Sequence, residues 1–148
     1  MQSLCPVKLF KLPPLFLVAA SALAQVAVPT LDVVKAPTYQ LRSLEASAHS
    51  LQGKVIKIQF VCRSSVTEQT PDGGLTGEVV DSPETRITAS VEVPKVAVEW
   101  FMKVPTTYKG GPPFTIYARL STDKFGAPVA VLLGGKVRSD AGGSHIDW

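Results

Sequence analysis

The residue types of a hydrolytic triad stand close together near the end of the chain, as Ser144, His145 and Asp147. A triad requires a rigid scaffold that brings a serine nucleophile, a histidine base and an orienting carboxylate together in space. These three residues instead follow a glycine pair at a chain terminus, and termini are commonly poorly ordered. We therefore interpret residues 139–148 as a loose tail and not as a catalytic centre.

The other residues with reactive side chains stand apart from one another along the sequence. Glu92 and Glu99 could act as an acid and base pair only within a shared cleft, and the first is predicted on the solvent side of a strand. His49 lacks the clustered ligands that a metal site needs. Cys62 lies on the apolar phase of an alternating segment, which favours a buried, inert thiol over a redox centre. The sequence therefore predicts a non-enzymatic protein with no metal site and no cofactor.

The residues best suited to function form a predicted surface. Tyr117 and Arg119 alternate with apolar residues in one segment, and polar residues alternate in the same way in another. An aromatic ring beside cationic and amide side chains can hold a polymer or a protein partner without breaking any bond. The candidate ligand-binding residues are Lys57, Gln59, Arg63, Tyr117, Arg119, Lys124 and Phe125. The alternative is an ordinary solvated face, because scattered exposed side chains need no function.

Strands that would present this surface are predicted from the period-two alternation of apolar and polar residues. The five predicted strands are residues 56–62, 75–81, 87–93, 114–120 and 129–137. Residues 64–74, between the first two strands, are predicted as a polar loop.

A short helix is predicted before the first strand. Leu41, Leu44 and Ala48 recur at spacings of three and four within residues 38–49, and Thr38 is available as its cap. The apolar stripe of this helix should cover one opening of the strand body.

A second helix is predicted over residues 95–104, between the third and fourth strands. A proline stands at each end of this segment, and its length suits a short helix. Trp100 and Phe101 would then fill the floor of a barrel. If the segment were a strand, a β-sandwich would be the favoured fold.

The chain begins as a secretion signal does, with a positive start, an apolar run and small residues for the peptidase. These features are Lys8 and Lys11, the run 12–23, and Ala22 and Ala24. The run is short of the about 20 apolar residues of a spanning helix, and a proline pair interrupts it. We therefore expect cleavage before Gln25 and not an uncleaved anchor, followed by a flexible lead over residues 25–37. The mature protein would be periplasmic or extracellular, with no stable membrane span.

Cleavage changes both the charge and the cysteine count of the chain. It reduces 15 Lys and Arg to 13, against 12 Asp and Glu, because Lys8 and Lys11 are lost. It also removes Cys5, which leaves Cys62 without an intramolecular disulfide partner. A nearly neutral mature chain lacks the basic footprint of a dedicated nucleic-acid binder. Its length suits one domain, predicted over residues 38–138.

The order of five strands with a helix between the third and fourth is that of an OB-fold. Residues 51–55 (LQGKV) resemble the opening of small exported bacterial OB-fold domains, and residues 115–120 (TIYARL) followed by 131–134 (VLLG) resemble their closing strand pair. The resemblance implies a mainly β, five-stranded OB-like barrel with a short N-terminal helix. It implies binding of an oligonucleotide, oligosaccharide or peptide across the outer face, and no activity.

The function expected from these observations is that of an exported binding module for a polymer or an envelope protein. Nucleic acid is disfavoured, because OB-folds that grip single strands usually stack bases on several aromatic rings and the predicted outer face carries few. The alternative is a structural or assembly component of the cell envelope, in which Trp100, Phe101 and the apolar lead pack against another subunit.

Overall fold

The computed structural model describes residues 35–148. The predicted signal, residues 1–24, and residues 25–34 of the predicted lead lie outside the described residues. Within residues 35–148, neither helix has the length and apolar content needed to cross a membrane.

The described chain is mainly β, as predicted, with 48% of residues in strands and 18% in helices. The strands are β1 (Thr38–Gln40), β2 (Val55–Phe60), β3 (Cys62–Gln69), β4 (Leu75–Val80), β5 (Thr88–Val93), β6 (Phe114–Thr122), β7 (Pro128–Gly134), β8 (Lys136–Asp140) and β9 (Gly143–Asp147). The helices are α1 (Leu41–Leu51), a single 3-10 turn (Lys95–Ala97) and α2 (Val98–Lys103).

Seven of these strands form one mixed sheet in the order β1-β2-β6-β7-β5-β4-β3, and β8 and β9 form a separate hairpin. The β1–β2 and β5–β7 pairs are parallel, and the other pairs are antiparallel. The sheet is not a closed barrel, so the five-stranded OB-like barrel is not confirmed in detail. Only Val61 separates β2 from β3 along the chain, although the two strands lie far apart in the order of the sheet.

The first strand differs most from the prediction. The expected strand over residues 56–62 ends at Phe60, and a new strand begins at Cys62. This second strand continues to Gln69, so the prediction of a loop over residues 64–74 is wrong for its first half. Its residues are mostly exposed and polar, and hydrogen bonding to β4 holds them in the sheet despite two register shifts.

Helix α1 covers the sheet much as predicted. Leu41 and Leu44 are buried, and Ala48 packs partly against the core. The prediction of Thr38 as the cap is wrong, because Thr38 lies in β1 opposite Lys57 and Gln40 occupies the N-cap position. Pairing of β1 with β2 holds Thr38 in an extended conformation, three residues before the helix begins.

The predicted helix over residues 95–104 is confirmed as the 3-10 turn followed by α2. Phe101 is completely buried, whereas Trp100 is half-buried. A strand in this segment would have favoured the alternative β-sandwich fold. The segment is helical, so it gives that alternative no support.

The core lies between α1, α2 and the inner face of the sheet. The fully buried Ile56, Ile58 and Phe60 alternate along β2 with side chains that point outward. Every buried residue in the described part of the chain is apolar. Cys62 is buried, as predicted, and lies outside the main core cluster.

The C-terminal residues are ordered as a hairpin and not as the loose tail that the sequence indicates. Strands β8 and β9 pair antiparallel, with Val137 opposite Ile146. The hairpin returns to the sheet where the amide of Gly135 donates to the Asp147 carbonyl at 2.9 Å. Trp148 packs against the core, with its ring centroid 5.5 Å from that of Trp100.

Candidate functional site

Four of the seven predicted site residues lie together on the outward side of β2 and β6. The strands pair antiparallel, which places Lys57 opposite Tyr117, Gln59 opposite Thr115, and Val55 opposite Arg119. Directly opposed residues of such a pair point to the same side of the sheet. We call this surface the β2–β6 face and define it as Lys57, Gln59, Thr115, Tyr117 and Arg119.

Side chains of the β2–β6 face are held by one another. The Lys57 ammonium nitrogen lies 6.0 Å from the centroid of the Tyr117 ring, at the limit of a cation–π contact. The Gln59 side-chain amide donates to the Thr115 hydroxyl at 3.3 Å. The residues of the face that the sequence singled out are half-buried. They form a partly ordered surface and not a set of freely moving side chains.

Arg119 is the least satisfied member of the face. Its Nε atom is buried and has no hydrogen-bond partner among the described residues. The strand register places Val55 on one side of Arg119 and Val131 on the other, and neither side chain can accept a hydrogen bond. An unpaired buried donor costs about 1–3 kcal/mol. The Nη atoms of this half-buried side chain are not among the buried unpaired atoms, so they are the donors that a ligand could reach.

The charge of the face is uncompensated within the described part of the chain. The ion pairs among residues 35–148 join Lys103 to Glu99, Arg138 to Asp147, and His145 to Asp140. None of them includes Lys57 or Arg119. The face therefore presents two cations to a ligand.

Arg63 does not join the face, contrary to the prediction. It lies opposite Val79, a fully buried core residue, and its guanidinium carbon is 6.0 Å from the centroid of the Phe101 ring. Unbroken alternation from Lys57 would have put Arg63 on the outward side. The break at Val61 reverses that phase, and Arg63 faces the core side of the sheet.

Lys124 and Phe125 occupy the tip of the β6–β7 loop. The Asp123 carboxylate accepts hydrogen bonds from the Phe125 and Ala127 amides, both at 2.8 Å, and so fixes the loop. Phe125 is 83% exposed, and the Lys124 ammonium lies 5.2 Å from its ring centroid. These two residues form a separate projection beyond the end of β6.

The structure does not assemble a triad from Ser144, His145 and Asp147. The Ser144 hydroxyl pairs with that of Ser139 at 3.0 Å, and the His145 Nε2 atom lies 3.1 Å from Asp140. The backbone amide of Gly142, followed by the His145 hydrogen bond, lowers the pKa of Asp140. Since Ser144 and His145 have different partners on the hairpin, they do not form a nucleophile and base pair.

The remaining reactive residues are also separated. A hydrogen bond from Lys103, followed by its charge, lowers the pKa of Glu99 in an exposed pair one helical turn apart. Within residues 35–148, no three His, Cys, Asp or Glu side chains are grouped as metal ligands would be.

The surface of residues 35–148 includes three clefts that the sequence did not predict as sites. One of about 370 Å³ lies between α1 and the ends of β5 and β7, with Arg42 and Glu45 at its rim. A second, of about 300 Å³, includes Gln40 and Gln59 and so continues the β2–β6 face.

The third cleft, of about 450 Å³, lies between β3, the β4–β5 loop and the segment after α2. We call it the hydroxyl cleft, after the side chains of Ser64, Ser82, Thr88, Thr106, Thr107 and Tyr108 that line it. All three clefts join residues distant in the sequence, so no local pattern signals them.

Comparison of the chain with known protein families, curated proteins and solved structures gives no match.

Proposed function

We propose that the chain is an exported, non-enzymatic binding module that holds an extended ligand across the β2–β6 face. The observation that carries this proposal is the placement of Lys57, Tyr117 and Arg119 on one side of two paired strands, with the Arg119 Nε buried and unpaired among the described residues. Side chains that are already held in place lose little freedom when a ligand binds, which lowers the ordering cost of binding.

We further propose that the sheet has the strand topology of a partly open, OB-like barrel. The order β2-β6-β7-β5-β4-β3, the parallel β5–β7 pair and the helix between β5 and β6 support this. If β2 and β3 are taken as one long strand bent at Val61, its two halves lie at the two ends of that order. The interpretation accords with ligand binding on the outer surface of the strands.

The ligand that fits the face best is an oligosaccharide or an extended peptide. Amide, hydroxyl and cationic groups on the face can pair with hydroxyl, carbonyl or carboxylate groups of such a chain. The second cleft, which shares Gln59 with the face, would lengthen the contact. Single-stranded nucleic acid fits less well, since Tyr117 supplies a single ring where several are usual.

Arg119→Met is the sharpest test of this surface. Methionine keeps much of the apolar stem and removes the unpaired donor, so the free energy of unfolding should be unchanged or higher. Affinity for the bound ligand should fall at least about tenfold, since arginine is frequent among binding hot spots. The full chain, purified as the host produces it, would be assayed against panels of oligosaccharides, extended peptides and single-stranded DNA at low salt.

Lys136→Ala, on exposed β8, is the matched control and should leave the affinity unchanged. The proposal is contradicted if no panel member binds, or if both variants weaken binding equally. Preferential binding of single-stranded DNA would move the ligand class to nucleic acid and overturn the saccharide or peptide assignment.

The export half of the proposal rests on the N-terminal sequence. Expression of the full chain in a bacterial host should yield a periplasmic or secreted product that begins at Gln25, as judged from intact mass and N-terminal sequencing. Replacing both Ala22 and Ala24 with arginine should abolish that product, because the peptidase requires small residues there. A wild-type chain that stays uncleaved in the cytoplasm would refute export.

The alternative role, a structural component of the envelope, has weaker support. Phe101 is enclosed in the core of the chain, and Trp100 contacts Phe114 and Trp148 of the same chain. Neither ring is therefore free to form the main contact with another subunit.

A further inference from the structure

The hydroxyl cleft is chemically unlike the β2–β6 face, and no residue of that face lines it. Its polar lining consists mainly of Ser, Thr and Tyr residues. The Tyr108 hydroxyl donates to the Gly111 carbonyl and the Ser82 hydroxyl pairs with that of Thr85. Ser64, Thr88, Thr106 and Thr107 therefore supply the hydroxyls that can still donate and accept hydrogen bonds. Cys62, Val80 and Pro83 add an apolar wall. Its volume of about 450 Å³ falls within the range of about 300–1,000 Å³ typical of small-molecule sites.

Arg86 carries the charge of the cleft. No Asp or Glu contributes to the lining, and Arg86 takes part in none of the ion pairs among residues 35–148. The cleft therefore combines one guanidinium with a set of neutral hydroxyl groups.

The backbone of Arg86 is held in a costly conformation. Its φ of 51° makes it the one non-glycine residue with a positive φ in the described part of the chain. The Asp81 carboxylate accepts the Ile87 amide at 3.1 Å, and the Arg86 amide donates to the Ser82 carbonyl at 3.2 Å. These bonds fix the loop on both sides of Arg86.

Strained residues that the surrounding structure over-determines concentrate at ligand sites. Glycine would adopt the same φ without the steric cost, so what arginine adds at this position is its side chain. The strained backbone of Arg86 and its unpaired charge are two separate observations, and both indicate a ligand site at this cleft.

We propose that the hydroxyl cleft binds a sugar acid, a hexuronate or the terminal hexuronate of a longer saccharide. The guanidinium of Arg86 would pair with the carboxylate, a geometry that favours two parallel hydrogen bonds. The Ser and Thr hydroxyls would pair with the sugar hydroxyls, and Tyr108 with the apolar wall would contact the ring. The lining comes from strands and loops and includes no helix N-terminus of the kind that holds phosphate.

The test is titration of the full chain with sodium glucuronate and sodium galacturonate, followed by calorimetry and by amide chemical shifts. Glucose, galactose and inorganic phosphate are the comparison ligands. We expect saturable binding of at least one hexuronate, with the corresponding neutral sugar at least about tenfold weaker because it lacks the charged partner. Shifted amides should lie in the β4–β5 loop and around Thr107.

Arg86→Gly separates binding from folding. Glycine relieves the strained φ, so the thermal midpoint should be equal or higher, while hexuronate affinity should fall at least about tenfold. Lys109→Ala, next to Tyr108 but outside the lining, should bind as the wild type does. Arg119→Met should also leave hexuronate affinity unchanged, which distinguishes this site from the β2–β6 face.

Three outcomes would overturn the assignment. These are the absence of saturable hexuronate binding, hexuronate binding that Arg86→Gly does not weaken, and preferential binding of phosphate. The second outcome would place the hexuronate at another site, and loss of its binding in Arg119→Met would identify that site as the β2–β6 face. The first and third do not bear on whether the face binds its own ligand, so the failures of the two proposals are distinguishable.

Discussion

Replacement of Phe101 by alanine is expected to lower the free energy of unfolding by about 3–5 kcal/mol, the usual cost of truncating a fully buried phenylalanine. The Phe101 ring is completely buried. It packs closely on β4 at Gly77, because a Cβ atom added to that glycine would lie 2.9 Å from the edge of the ring. Arg63 and Trp100 flank it at centroid distances of 6.0 and 6.5 Å. A cavity would remain, because hydrogen-bonded strands cannot collapse into it.

This loss would be a large part of the stability of a small domain, which is commonly about 5–15 kcal/mol. Urea denaturation followed by far-UV circular dichroism measures it. Met102→Ala is the matched control, since the neighbouring side chain is 49% exposed and should cost no more than about 0.5 kcal/mol. Equal effects of the two changes would mean that α2 does not pack with Phe101 inward.

Gly134→Ala is expected to detach the C-terminal hairpin from the sheet. A Cβ atom at Gly134 would lie 2.5 Å from the Asp147 carbonyl oxygen and 2.6 Å from a methyl carbon of Ile146. The first of these is backbone and cannot rotate away. Overpacking of this kind costs about 1–3 kcal/mol, enough to break the hydrogen bond between the Gly135 amide and Asp147.

Amide hydrogen exchange of β8 and β9 measures this detachment, because exchange should accelerate there while β6 and β7 stay protected. Carboxypeptidase digestion provides a second measurement, since release of Trp148 should become faster. Gly135→Ala is the control, because its Cβ atom would be 3.5 Å from Ile116, an ordinary contact. If Gly134→Ala left exchange in the hairpin unchanged, the close packing of β7 on β9 would be wrong.

The sequence predicted those elements whose burial pattern is local. The alternation in β4, β5 and β6 and the proline-bounded helix 95–104 are properties of short segments, and the structure contains all of them. The sequence did not predict β3, because this polar, mostly exposed strand is held by pairing with β4 and has no apolar stripe. The predicted position of Arg63 was wrong for a related reason. The alternation of inward and outward side chains reverses at Val61, and no residue type there indicates the reversal.

The site residues were likewise predictable only where a local pattern presents them. Lys57, Gln59, Tyr117 and Arg119 could be grouped because two alternating strands present them, although their pairing across the sheet had to be assumed. The hydroxyl cleft could not be found, because its lining comes from β3, the β4–β5 loop and the segment after α2. Nor does the residue type of Arg86 indicate a positive φ, which arises from hydrogen bonds made by Asp81 and Ser82.

The contact between the tilted rings of Trp148 and Trp100 has a consequence for the spectroscopy of the protein. These are the only two tryptophans of the sequence, and their rings lie 5.5 Å apart. Intrinsic tryptophan emission therefore originates at a single contact between the final residue and α2. An emission change that precedes the loss of far-UV dichroism would report release of the chain terminus alone, and coincidence of the two would show that the terminus unfolds with the core.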